Sequence, residues 1–213
     1  MLLIAHRGFS EGEDENTLAA LERAAADKRI GGVELDIRMA ADGSDVVLRH
    51  DPFTGAAGEA DALSLDEALA FAKPHGWEVL LECKEFDVAL YKRVRELVAR
   101  HAFADNVVLF GFKDVAARFP WSEARPFRFG VIEEYPWRIA GTVAAFRPDM
   151  LLMGWADTRT RVAVQAWWSA FSLRRLAATM PGTAIVMGVA QNESHVEWFR
   201  RHGVLHAATI DLR

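Results

Sequence analysis

The chain has 213 residues, 51% of them hydrophobic, with 25 basic and 30 acidic side chains and a formal net charge of −5. That length and apolar content can bury one substantial core and point to a single domain over residues 1–213. The mild acidity excludes a dedicated nucleic-acid binder, which would carry a basic stripe, but leaves a small anionic ligand open, because a few local cations can outweigh the global balance.

Taken in chain order, short apolar runs that read as strands fall at 2–6, 32–37, 46–50, 78–83, 106–110, 127–132, 149–153, 184–189 and 207–211. Between them lie segments whose apolar residues recur every three or four positions, at 16–27, 65–73, 88–101, 137–146, 161–180 and 194–202, and these read as helices. Ser64 ahead of Leu65-Asp66-Glu67 has the spacing of a capping box. Nine strands are one too many for an eight-stranded barrel, and the excess resolves locally. The segments around 34–39 and 46–50 are joined only through Asp42-Gly43-Ser44, too short for the crossover that a parallel pair requires. They must form an antiparallel hairpin. The remainder is an α/β chain of eight parallel strands, expected as a closed (β/α)8 TIM barrel with a β-hairpin extension after strand 2. An open doubly wound sheet is the alternative, but no Gly-rich phosphate loop follows any strand. The chain ends just past its last strand, so a closing eighth helix is expected to be absent or replaced.

Cys83 is the one cysteine, which rules out an intrachain disulfide and suits a reducing compartment. No apolar stretch has membrane-spanning length, and Met1-Leu2-Leu3-Ile4-Ala5 leads straight into His6-Arg7-Gly8 without a basic leader. The expectation is a cytoplasmic protein with no stable membrane anchor; oligomeric state has no signature.

In such a barrel the reactive groups sit at the C-terminal ends of the strands. Those ends carry His6-Arg7, Glu34 and Asp36, His50-Asp51, and Glu82 with Lys84. Glu34 and Asp36 are two apart on one strand and so share a face. The hairpin returns His50 to the neighbourhood of Asp36. Three carboxylates suit a hard divalent cation, Mg²⁺ or Ca²⁺. Two histidines can act as base and acid in attack on a phosphodiester, and two cations can neutralise its phosphoryl oxygens. His202 and His206 bracket Gly203 past a helix end and make a poor ligand pair.

His6-Arg7-Gly8, Glu15-Asn16-Thr17, Glu34-Leu35-Asp36, His50-Asp51 and Glu82-Cys83-Lys84 resemble, in order, the motifs of the glycerophosphodiester phosphodiesterase family. Weaker echoes lie at 63–69, at 186–192 and in Thr209-Ile210-Asp211. The resemblance implies metal ligation by Glu34, Asp36 and Glu82, an acid/base pair of His6 and His50, and phosphate contacts from Arg7 and Lys84. Glu15 would orient Arg7 or the metal's surroundings. The implied reaction cleaves a glycerophosphodiester to glycerol 3-phosphate and an alcohol, with a neighbouring hydroxyl attacking phosphorus and the cyclic phosphate then hydrolysed. The chain departs from the family pattern at Asp14 (a proline there), at Gly111 (a serine) and near Met187 (a tryptophan). The stretch from Asp51 to Glu82 lacks the family's long insertion, so the pocket is expected to be open on that side. That admits hydrolysis of lysophospholipids or another phosphodiester; a catalytically retired barrel that binds phosphorylated ligands is a separate reading, against which the retention of both histidines and all three carboxylates argues.

Alternation turns Cys83 away from its neighbours Glu82 and Lys84, into the barrel wall. Trp155, after the sixth parallel strand, is a candidate for lining the substrate pocket. Trp167, Trp168 and Phe171 lie at helical spacing and read as core or interface packing rather than as a lid. Glu133 and Glu134 read as solvated loop charges.

Overall fold

The computed structural model describes residues 1–213 except 11–13, 56–60, 122–123, 155–157, 203–205 and 211–213. The strands are β1 (Leu2–Ala5), β2 (Ile30–Met39), β3 (Val46–Leu48), β4 (Glu78–Cys83), β5 (Val107–Phe110), β6 (Arg128–Ile132), β7 (Met150–Gly154), β8 (Ala184–Ala190) and β9 (Ala207–Ile210). All but β3 pair in parallel in the order β1-β9-β8-β7-β6-β5-β4-β2, and β1 pairs again with β2. The eight parallel strands therefore close into a barrel, with helices in the connections. β3 joins β2 antiparallel through Ile37↔Leu48, Arg38↔Val47 and Met39↔Val46, forming the hairpin that the short turn demanded.

The helices are α1 (Leu18–Ala26), α2 (Leu65–His75), α3 (Val88–Arg100), α4 (Lys113–Ala116), α5 (Ile139–Phe146), α6 (Thr158–Ala170), α7 (Leu173–Ala178) and α8 (Glu193–His202). Ser64 and Glu67 form the expected reciprocal cap on α2. One expected helix, 161–180, is two. The Ser172 hydroxyl accepts the Arg175 N–H and starts a new helix, so a cap overrides an apolar periodicity that runs on through it. The short α4 was not foreseen, because four residues are too few to show a helical period.

Strand alternation sorts the core into two layers. Leu3, Val33, Leu35, Val79, Leu81, Leu109 and Phe129 face the helices in one large buried cluster, with Cys83 among them. Ile4, Leu80, Val108, Phe110, Met150, Leu152 and Val186 fill the barrel itself. Gly32 sits at this inner layer because a Cβ there would meet the Glu78 carbonyl at 2.4 Å. Below it, Glu78 accepts from His206 Nε2 at 2.9 Å and pairs with Arg128 at 3.1 Å. His206 is thus engaged at the N-terminal end of the barrel, while the His202 ring stacks on Trp198. With one end tied off in this way, the inward positions at the other end of β2 and β4 are left to Glu34, Asp36 and Glu82.

Candidate active site

Asp36 stands directly beside Glu82 in the β2–β4 register, and Glu34 lies two positions below Asp36 on the same face. Glu34 and Asp36 are 2% and 1% exposed, and oxygens of the three carboxylates lie within 4.8 Å of one another. Burying three like charges is costly unless cations compensate. Lys84 supplies one, with its Nζ 2.9 Å from Asp36 Oδ1 and 2.6 Å from Glu82 Oε1. Arg7 supplies a second, with its Nε 3.3 Å from Asp36 Oδ2.

Compensation is uneven. Burial pushes the Asp36 carboxyl up, but Lys84 and Arg7 outweigh it and hold the group below its ordinary value. Burial, then the charges of Asp36 and Glu82, drive Glu34 well above the usual carboxylate range, and Glu82 is raised chiefly by burial. Glu34 Oε1 is buried and, among the described residues, has no hydrogen-bond donor. A crowded, oxygen-only donor set with an orphaned carboxylate oxygen fits a hard divalent cation, which would stabilise all three groups in their charged forms.

Arg7 is aimed by the turn that follows β1. The segment His6–Gly8 forms a short 3-10 turn with Arg7 at φ +50°, and the Arg7 N–H donates to Glu34 Oε2 at 3.0 Å. Its guanidinium donates to Glu15 Oε2 at 2.5 Å, so Glu15 steadies Arg7. His6 lies beside this turn, with Nε2 3.8 Å from Glu34 Oε2. Burial, then the neighbouring Arg7 charge, pushes its pKa down to about 4, which keeps the ring neutral near pH 7.

His50 follows the β3 arm. Its Nδ1 lies 2.8 Å from Asp51 Oδ1, and its carbonyl accepts from Arg38 Nε at 3.0 Å. It is close enough for its charge to depress both His6 and Glu82. The two histidines nevertheless open onto different hollows. His6, Glu34 and Glu82 line a cavity of about 470 Å³, whereas His50, Asp51 and Glu15 line another of about 680 Å³.

The structure thus gathers His6, Arg7, Glu15, Glu34, Asp36, Glu82 and Lys84 into one connected cluster with His50 at its edge. Trp155 lies outside the described residues. Glu133 corrects the expectation of a solvated loop charge: it is 4% exposed, accepts from Lys113 Nζ at 3.2 Å and from the Tyr135 N–H at 3.1 Å, and is bonded by the Thr142 hydroxyl. A carboxylate with three donors is held inside, whereas its neighbour Glu134 stays exposed.

Two members of the sequence motifs, Asn16 and Asp51, acquire a role only in the structure. Asn16 donates to Asp36 Oδ2 at 2.8 Å and accepts the Asp36 N–H at 3.0 Å, locking that carboxylate in place. It does so at φ +61°, a left-handed conformation that asparagine tolerates. Asp51 holds the His50 ring. An asparagine at a helix entry ordinarily reads as a turn former, and only tertiary closure shows what it faces.

Known proteins share parts of this sequence and the fold. A profile described as "Glycerophosphoryl diester phosphodiesterase family" matches residues 6–127, more than half of the chain. A 48-residue segment is 54% identical to glycerophosphodiester phosphodiesterase 1 of Bos taurus, covering 22% of this chain but only 14% of that relative. The fold is similar to a glycerophosphodiester phosphodiesterase from Agrobacterium tumefaciens, with a TM-score of 0.76, 18% identity, and coverage of 99% of this chain and 96% of that one. It is also similar to an Oleispira antarctica phosphodiesterase solved with the product sn-glycerol-3-phosphate, with a TM-score of 0.73, 19% identity, and coverage of 99% and 93%.

Proposed function

Because the chain belongs to the glycerophosphoryl diester phosphodiesterase family, we propose that it hydrolyses phosphodiesters at the Glu34–Asp36–Glu82 cluster, releasing an alcohol and glycerol 3-phosphate from glycerol diesters. The observation that carries this is the juxtaposition of three buried carboxylates with Arg7, Lys84 and His6 at one barrel mouth. One divalent cation, Mg²⁺ or Ca²⁺, would be held by Glu34, Asp36 and Glu82. When bound it would polarise a phosphoryl oxygen and offset the charge that builds there.

The chain's own groups do the rest. Arg7 and Lys84 place fixed positive charge beside the phosphoryl oxygens, in a buried setting where such charge acts more strongly than in water. Neutral His6 can take or return a proton at the attacking or leaving oxygen. His50, oriented through Nδ1 by Asp51, presents Nε2 as the complementary group. One histidine removes the proton of the attacking hydroxyl as the new P–O bond forms. The other delivers a proton to the departing alkoxide as the old bond breaks, and water then opens the resulting cyclic phosphate with the two proton-transfer roles exchanged. Glu15 and Asn16 hold Arg7 and Asp36 in place. We take residues 1–213 as one domain acting on a small-molecule diester in the cytoplasm, with no nucleic-acid partner; among the described residues no helix is long and apolar enough to cross a membrane.

The test is turnover followed by phosphorus NMR. The purified chain is expected to convert a glycerophosphodiester to a phosphate monoester in Mg²⁺ or Ca²⁺, to stop in excess EDTA, and to recover when the cation is restored. Undiminished turnover in the chelator would remove the cation from the mechanism.

A further inference from the structure

The outward face of α6 carries almost no charge. Its exposed residues, among those described, are Arg159, Val162, Ala163, Ala166, Ser169 and Ala170. The Ser169 hydroxyl is turned back onto the helix, donating to the Gln165 carbonyl at 2.7 Å. A surface helix ordinarily directs its charges outward, as α3 does with Lys92, Arg95, Glu96 and Arg100. Here Val162 is 59% exposed and Phe171 55%. Phe171 continues the stripe of Arg159, Ala163 and Trp167 at four-residue spacing, its N–H donating to the Trp167 carbonyl.

The apolar surface widens beyond the helix. Trp167 stacks on Phe171 at 4.5 Å and meets Trp137 at 5.9 Å, and Trp137, 63% exposed, lies 5.2 Å from Tyr135. A packing role was expected for both tryptophans of α6. Trp168 fulfils it, whereas Trp167 is only half-buried.

Positive charge collects on the same part of the molecule. Residues 135–192 hold six arginines against two aspartates, a formal +4, while the other residues together amount to −9. The Arg138 guanidinium covers the Tyr135 ring at 4.6 Å, Arg159 begins the α6 stripe, and Arg174 and Arg175 are exposed on α7 just past Phe171. Among the described residues, none of these four arginines has a carboxylate partner.

Open aromatic and aliphatic side chains rimmed by free arginines match the boundary of an anionic bilayer, where rings sit at headgroup level and guanidinium groups reach lipid phosphates. A second copy of the chain fits less well, because a two-fold contact would set the same arginines against one another. We propose that the outward face of α6, with Tyr135, Trp137 and Phe171, docks reversibly on an anionic lipid surface. Ala163 and Trp167 also line the cavity that opens onto His6, so docking holds the barrel mouth at the lipid boundary. The inference concerns where the protein sits, not which diester it cleaves, and binding alone reads it.

The experiment sediments the protein with sucrose-loaded vesicles of phosphatidylcholine, alone or with one lipid in three replaced by phosphatidylglycerol. A chain of net charge −5 is repelled by the second kind unless a local face overrides the balance. The expected partition coefficient is on the order of 100-fold higher on the anionic vesicles, from about fivefold per arginine near the surface, and it should fall at least tenfold in about 0.5 M salt. The double substitution Arg174→Ala, Arg175→Ala should lower anionic binding by about tenfold or more and leave the weak binding to phosphatidylcholine unchanged. Val162→Glu should weaken binding to both vesicle types by about tenfold. All three positions are exposed, so a thermal melt should find both variants as stable as the wild type; if either is not, the salt and lipid series on the wild type decides. Failure of the wild type to sediment with either vesicle, equal binding to both, or binding that salt does not alter would overturn the proposal. So would a dimer that Val162→Glu dissociates, which would assign this face to a second copy.

Discussion

His6→Ala is expected to lower kcat by on the order of 10²–10⁴, the usual contribution of a positioned proton-transfer group. The loss should be the same for every alkyl alcohol of similar leaving ability, because the ring lies at the carboxylate cluster, 3.8 Å from Glu34. His50→Ala should cause a comparable loss on an ordinary alkyl diester. The two part company on a diester with a p-nitrophenol leaving group, which departs without needing a proton. There the histidine that acts as acid becomes nearly dispensable, while the one that acts as base does not. Steady-state kinetics of both variants on both substrates therefore assigns the roles. If His6→Ala retained more than about a tenth of wild-type kcat on the alkyl diester, His6 would not be part of the proton-transfer pair.

Asp36→Asn should abolish the response to cations. Saturating a site at about 100 times its Kd stabilises a folded protein by about 2.7 kcal/mol. For a chain of this size each kcal/mol moves Tm by about 2–4 °C, so Mg²⁺ or Ca²⁺ should raise the wild-type Tm by about 5–10 °C. Asp36 is the centre of the cluster: Lys84, Arg7 and both faces of the Asn16 amide meet on it. Its amide isostere keeps the shape and removes the charge. The variant should show no cation-induced shift in a thermal melt, and its turnover should fall by on the order of 10² or more. Measuring the shift within each protein cancels any change in baseline stability. A full shift in Asp36→Asn would place the cation elsewhere.

The barrel was legible largely because one connection was too short. Asp42-Gly43-Ser44 cannot hold a crossover, and that turned nine strand-like runs into eight parallel strands and an arm. Strand ends likewise marked Glu34, Asp36, Glu82 and Lys84, since a period of two and a barrel's polarity are both written locally. The break at Ser172 was hidden because a single capping hydroxyl interrupts an apolar pattern that continues on both sides of it. Glu133 misled for the opposite reason. Its loop position spoke of solvent, but Lys113 and Thr142 arrive from separate elements and enclose it. Asn16 lies 20 residues from the aspartate it holds. The cavity at His6 is lined by side chains as far apart as Phe112 and Trp167, and no local period records such convergence.

The central claim, that one hard cation is held by Glu34, Asp36 and Glu82, is most directly tested by locating that cation. Mn²⁺, which shares the preference for oxygen ligands, can replace Mg²⁺ or Ca²⁺ in crystals of the protein and be found by its anomalous scattering. The account predicts one strong peak within direct coordination distance of carboxylate oxygens from all three residues, missing from crystals of Asp36→Asn. A peak bound by other side chains, or none beside this cluster at saturating Mn²⁺, would contradict it.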